Sequence, residues 1–332
     1  MENKLQTALI NFPKRKNGEL SLRKIVEERI KKLSLTAEQK EMLNFELAVI
    51  EKTETEKVFL EFVDTVYALK ELGAFCGGLA NSSYLCYLLG ITKVNPLRYG
   101  LYFERFFNEK RARLPYFTLF VGNGQRGRAM EYFSERYGFE RIACVKDSDD
   151  VVVSSKPIGF FADTEAFLKS DKEKVWKECA LSLSSEEVTN LGLYTFTLRE
   201  GEAEEGKAFT DEDICFWARL TYKRHGSSKE AYGMLTLTKM GEIFKTFRGG
   251  LLFQEQFYSL CEELLKVEPT LADEWRLSIC KRKRREVEKI KGHFLAKLGE
   301  KGEDLFQYIY NKLPYTVCKA YVVGEILIKN IK

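Results

Sequence analysis

Five consecutive cations, Lys281, Arg282, Lys283, Arg284 and Arg285, followed by Lys289 and Lys291, form the densest charge in the chain. Such a cluster can contact several phosphates, with an affinity that falls as salt rises. A solvated helix face is the ordinary use of a charge run, so two readings stand here. Within one continuous helix, Arg282, Arg285 and Lys289 would share a face, and Lys281, Arg284 and Glu288 another. A second feature is the glycine-bearing stretch 73–78, which runs through Ser82 and Ser83 into an apolar segment. Backbone N–H groups where a turn enters a helix can hold an anion, although the same residues suit a plain structural turn. Asp147, Asp149 and Asp150 put three carboxylates within four positions, and His225 follows Lys223 and Arg224. Eight cysteines contain no C-x-x-C pair, and there are only two histidines, which argues against zinc.

The chain that must position these groups has 332 residues, enough for one large domain or two medium ones. Its 45% hydrophobic and 31% charged residues suit a soluble globular protein, and a net charge of +4 permits a nucleic-acid partner without demanding one. The first 18 residues are polar and lack the apolar run of a leader, and the apolar stretch 84–91 is too short to span a bilayer. With free cysteines, this points to a reducing, cytoplasmic setting and away from a membrane.

Apolar spacing predicts helices over 22–33, 37–51 and 56–72, with Thr36 and Gln39 forming a capping box and Gly73 a stop. A short apolar helix is expected over 82–89. The uncharged stretch 116–121 reads as a buried strand, residues 122–124 as a turn, and 126–137 as a helix closed by Gly138. Short strands are expected at 151–153, 158–161 and 191–198. Beyond the acidic loop 200–206 the pattern is helical over 211–222, 251–267, 273–292 and from 302 onward. The layout is α+β and mostly helical, divided at about residue 200 into 1–200 and 201–332.

The segment Tyr87-Leu88-Leu89-Gly90-Ile91-Thr92, then Asn95-Pro96-Leu97-Arg98-Tyr99, then Phe103-Glu104-Arg105-Phe106 and Asn108 resembles the palm of the family C DNA polymerases, the catalytic subunit alpha of bacterial DNA polymerase III. That family reads there approximately YLLGIT, DPLKY and LFERFLNPER. Further along, Phe253-Gln254-Glu255-Gln256 is similar to its YQEQ, and Ala272-Asp273 with Arg276 to its ADxLRR. The resemblance implies a nucleotidyltransferase-type palm over 1–200 and helical fingers over 201–332. It also implies that the thumb and the N-terminal PHP domain are missing. The three aspartates at 147–150 then fall in the remnant of the thumb, where a solvated loop is the better reading.

The family's palm carries a PDxDxDF strand. Alternate strand residues share one face, so aspartates at that spacing hold two Mg²⁺ ions. The matching positions here are Tyr116, Thr118 and Phe120, and the carboxylate of a neighbouring strand falls at Thr197. The phosphate turn, GRGSAAGS in the family, matches residues 76–83; Gly78 and Ser83 survive, while Gly77 replaces the arginine and Leu79 the phosphate-contacting serine. Gly78, Ser83 and Arg126 are what remain of a nucleotide site. The resemblance therefore implies a catalytically inactive relative without metal or other cofactor. Its partners would be DNA, through Lys281–Arg285, or a replication or repair protein. An active polymerase with unfamiliar ligands and a pure interaction module are the alternatives.

Overall fold

A computed structural model describes residues 21–31, 33–110, 114–138, 141–145, 151–154, 181–183, 195–203, 209–224 and 251–329. Asp147, Asp149, Asp150, His225 and the strand expected at 158–161 lie outside these residues. The described chain is mostly helical with a small mixed sheet, an α+β fold. It divides into two compact units: residues 1–97, 111–205 and 328–332 form the first, and 98–110 with 206–327 the second. Among the described residues, no helix is long and apolar enough to cross a membrane.

In the first unit the helices Leu22–Ile30, Ala37–Lys52 and Glu56–Ala68 come first. The capping box at Thr36 and Gln39 forms with both reciprocal bonds, which satisfies donors the first helical turn leaves open. The third helix ends earlier than its apolar spacing suggests. A 3₁₀ turn, Lys70–Leu72, follows, and Gly73 at φ 70° reverses the chain. The strands are β1 (Phe75–Gly77), β2 (Thr118–Val121), β3 (Ile142–Val145), β4 (Val151–Ser154), β5 (Leu181–Leu183), β6 (Thr195–Glu200), β7 (Glu202–Ala203) and β8 (Ile328–Lys329). The first six make one sheet in the order β1-β2-β6-β4-β3-β5, and β7 pairs with β8. β2 runs antiparallel to β1 and parallel to β6.

Phe117, Leu119 and Val121 are fully buried. Phe62 stacks on Phe117 at 3.8 Å between ring centroids, and Phe59 meets it edge-on at 5.8 Å. Behind them the Glu56–Ala68 helix is tied to the helix Arg126–Tyr137 by a buried ion pair. Arg136 donates Nε and Nη2 to the two oxygens of Glu61, at 2.5 and 2.6 Å, and Tyr137 donates its hydroxyl to the same carboxylate. Bidentate geometry of this kind makes a buried charge pair tolerable.

The second unit packs the helices Gln254–Leu260, Pro269–Cys280, Arg284–Leu298 and Glu300–Lys312 around Phe257, Tyr258, Ile279, Ile290, Phe294 and Phe306. One expectation is overturned here. Residues 273–292 form parts of two helices, broken at 281–283. Arg282 adopts φ 53°, and Lys281 and Lys283 cap the helices on either side. Lys281 and Arg282 therefore do not share helical faces with Arg284 and Arg285. Charge spacing carries no signal for a left-handed residue when that residue is not glycine.

Candidate functional site

The face of β2 that carries Thr118 and Phe120 is assembled from three strands. Thr118 lies opposite Gly77 on β1 and Thr197 on β6, and Phe120 lies opposite Phe75 and Arg199. Thr118, Thr197 and Phe120 are all buried, while Tyr116 is partly exposed. So the sheet brings Thr118, Phe120 and Thr197 together.

Phe120 fills the space beside the glycine turn. Its ring stacks on Phe75 at 5.2 Å, and a Cβ on Gly77 would meet its Cε2 at 2.7 Å. A Cβ on Gly201 would meet its Cδ1 at 3.2 Å and Cγ2 of Ile328 at 2.8 Å. Two glycines thus make room for one aromatic ring. Divalent magnesium requires hard, anionic oxygen ligands. The neutral hydroxyls of Thr118, Thr197 and Tyr116 and the hydrocarbon ring of Phe120 do not fit a pair of such ions. Among the described residues, no group of three or more histidine, cysteine, aspartate or glutamate side chains could hold a metal ion.

The turn 76–83 is built on Gly78 at φ 64° and is buried throughout. Its last residue and the first two of the helix that follows bond Glu46, a fully buried carboxylate on the Ala37–Lys52 helix. Ser83 Oγ donates to Glu46 Oε2 at 2.6 Å, Tyr84 N–H to Oε1 at 2.6 Å, and Leu85 N–H to Oε2 at 3.0 Å. Ser83 Oγ also accepts from Cys86 N–H at 3.0 Å. The hydroxyl of Ser83 and the N–H groups of Tyr84 and Leu85 at the helix start thus face an internal anion. Arg126 is handled similarly: its backbone N–H and that of Gly124 both donate to Oε1 of Glu200, at 3.2 and 3.0 Å. Gly78 and Ser83 share one turn, and Arg126 begins the helix after β2.

In the second unit the motif residues are brought together by hydrogen bonds. Arg105 Nε donates to Gln254 Oε1 at 2.7 Å, and Asn108 Nδ2 donates to Asp273 Oδ2 at 3.1 Å. Asp273, fully buried, also accepts from Tyr258 OH and from Nε and Nη2 of Arg276 at 3.1 and 2.9 Å. Glu255 accepts the backbone N–H groups of Lys319 at 2.9 Å and Ala320 at 3.4 Å, so it caps the helix Lys319–Leu327. Gln256 Oε1 accepts from Leu252 and Phe253 N–H at 2.7 and 2.8 Å. Glu104 sits beside this network with its carboxyl pushed up to about 7, first by burial and then by the charges of Glu262, Asp273 and Glu268.

Of the basic run, Lys281, Arg282, Lys283, Arg284 and Arg285 are all exposed. Sequence reasoning had passed over Glu46, Glu61 and Glu200. A carboxylate inside an apolar run, as in Phe45-Glu46-Leu47 and Phe59-Leu60-Glu61-Phe62, is the signal that could have flagged the first two, because it requires a buried partner.

Part of the chain is similar in sequence to bacterial DNA polymerases. Residues 20–151 match the family model of the bacterial DNA polymerase III alpha NTPase domain. The chain is 38% identical over 106 residues to an error-prone DNA polymerase of Brucella abortus, a match covering 31% of this chain and 10% of that protein. It is 36% identical over 102 residues to the DNA polymerase III subunit alpha of Thermus aquaticus, covering 30% and 8%. It is 32% identical over 144 residues to an error-prone DNA polymerase of Burkholderia mallei, covering 42% and 13%. The matched segments thus span about a tenth of these relatives' own length. More particularly, over residues 20–151 the chain is DNA polymerase III alpha-like.

Proposed function

We propose that the chain is a non-catalytic relative of polymerase III alpha that binds DNA. Residues 1–200 serve as a palm-like scaffold, and the helical region from 201 to 332 as reduced fingers. The short stretch 139–150 stands where the family inserts its thumb. One observation carries the reading. The positions aligned with metal-binding aspartates hold Tyr116, Thr118, Phe120 and Thr197, and Phe120 is packed between two glycines instead of facing an open site. Nucleotide addition by two divalent ions needs negative charge at those positions, and no rearrangement of these side chains supplies it.

The turn at Gly78 and Ser83 is, in this reading, a structural turn closed by Glu46, and the N–H of Arg126 is satisfied by Glu200. Lys281–Arg285 is the surface offered to DNA, with a replication or repair protein as the other kind of partner.

Primer extension by the purified chain with Mg²⁺ or Mn²⁺ tests the first part. No extension is expected, and clear extension would overturn the inactive reading in favour of an unfamiliar ligand set. Titration of a primer–template duplex at several salt concentrations tests the second. A salt-sensitive affinity that weakens when Lys281, Lys283, Arg284 and Arg285 are replaced by alanine is expected. Binding without salt dependence, or none, would favour a protein partner.

A further inference from the structure

Arg282 differs from its four neighbours in what holds it. The helix Pro269–Cys280 ends with Lys283 N–H donating to Ser278 O at 3.0 Å and Arg282 N–H donating to Ile279 O at 3.1 Å. These are the 6→1 and 5→2 bonds of a Schellman ending, and Arg282 stands in the left-handed position that glycine normally takes. An L-residue is disfavoured there, so a side-chain contact that holds the turn offsets a backbone cost.

Its contacts supply the answer. The guanidinium carbon lies 3.9 Å from the centroid of the Tyr310 ring, and Nη1 donates to Tyr310 O at 2.7 Å. Tyr310 is in the last turn of the helix Glu300–Lys312, where carbonyls lack helical partners and a cation is favoured. Its ring in turn stacks on Phe306, a core residue, at 6.0 Å. One face and one edge of the guanidinium are thus committed within the second unit.

We propose that Arg282 is a positioning residue. It clamps the turn 281–283 to the end of the Glu300–Lys312 helix, and so orients Lys281, Lys283, Arg284 and Arg285, which make the phosphate contacts. This rests on the DNA-binding reading above and assigns Arg282 a different role within that surface.

The test measures binding of a labelled primer–template duplex to the full chain across a salt series, for the wild type and four variants. Arg282→Gly keeps the left-handed turn and removes the clamp. It is expected to weaken binding several-fold while leaving the slope of log affinity against log salt unchanged. Arg282→Lys keeps the charge but lacks the planar fork, and should lose affinity as the glycine variant does. Tyr310→Leu should give part of the same loss, and adding it to Arg282→Gly should cost nothing further. A slope lowered by about 0.9 in Arg282→Gly would mean a direct phosphate contact and overturn the proposal alone. So would unchanged affinity in Arg282→Gly, full rescue by lysine, or additive losses with Tyr310→Leu. If the wild type and a Lys281→Ala, Lys283→Ala, Arg284→Ala, Arg285→Ala variant bind equally and without salt dependence, the DNA reading itself fails and takes the proposal with it. Thermal melts of each variant identify any loss that comes from unfolding.

Discussion

Two buried regions of this molecule treat polar atoms in opposite ways. Around Asp273 the chain keeps a dense polar network, in which Asn108, Tyr258 and Arg276 all reach one carboxylate. Around Phe120 it fills the space with rings, packed against Gly77 and Gly201. Both regions carry positions that the reading proposed above aligns with motifs of the polymerase family. The residues that persist in the second unit each hold one segment to another: Arg105 to Gln254, Asn108 to Asp273, and Glu255 to the start of the Lys319–Leu327 helix. In the reading proposed above, positions 116, 118, 120 and 197 are those that stand where the family holds metal. A residue that satisfies buried donors is costly to lose whatever the protein does, whereas a metal-holding carboxylate in a site without metal is only a desolvated charge.

The largest effect expected from breaking this contrast is at Asp273. Asp273→Ala leaves the buried Arg276 uncompensated and should cost about 3–5 kcal/mol in chemical denaturation. A loss below about 1 kcal/mol would mean that the network is ornamental. Phe120→Ala comes next, at about 3 kcal/mol, because the two flanking glycines cannot refill the volume. Phe120→Asp should be no better tolerated; a variant as stable as the wild type would show that the pocket still suits a carboxylate.

Glu104 sharpens the comparison through pH. Its folded carboxyl, at about 7, holds its proton more tightly than in the unfolded chain. The stability this contributes is fully present below the unfolded value of 4.5 and is lost as pH rises from there through about 7. A shift of that size corresponds to at most about 3 kcal/mol, shared among the coupled acids nearby. Glu104→Gln should therefore flatten the pH profile and raise stability at pH 8 relative to wild type. An identical profile for the two proteins would contradict this. The smallest effect is expected at Gly77. The added methyl of Gly77→Ala must displace the edge of Phe120, at about 1–2 kcal/mol, and a smaller residue at 120 should offset part of it.

Much of the local structure was legible in residue spacing. Thr36 and Gln39 marked a helix start, Gly73 and Gly138 marked stops, and the uncharged stretch ending at Val121 marked a buried strand. Each of these is written within one turn or one strand. The break at Arg282 was not legible, because an arginine in the left-handed position is supported by Tyr310, 28 residues away. β1 was read only as part of a turn, since three residues carry too little periodicity to show a strand without their partner β2.

The sequence alone decided that Tyr116, Thr118, Phe120 and Thr197 carry no carboxylate, because charge is a property of residue type. It also decided the matched family, since ordered residue identity over 20–151 survives without any folding argument. Only the tertiary structure decided that Glu46 accepts from Ser83 and the helix start beyond the glycine turn, that Phe120 rests between Gly77 and Gly201, and that the exposed Arg282 is clamped to Tyr310. Those facts depend on contacts between residues far apart in the chain, which local propensity does not encode.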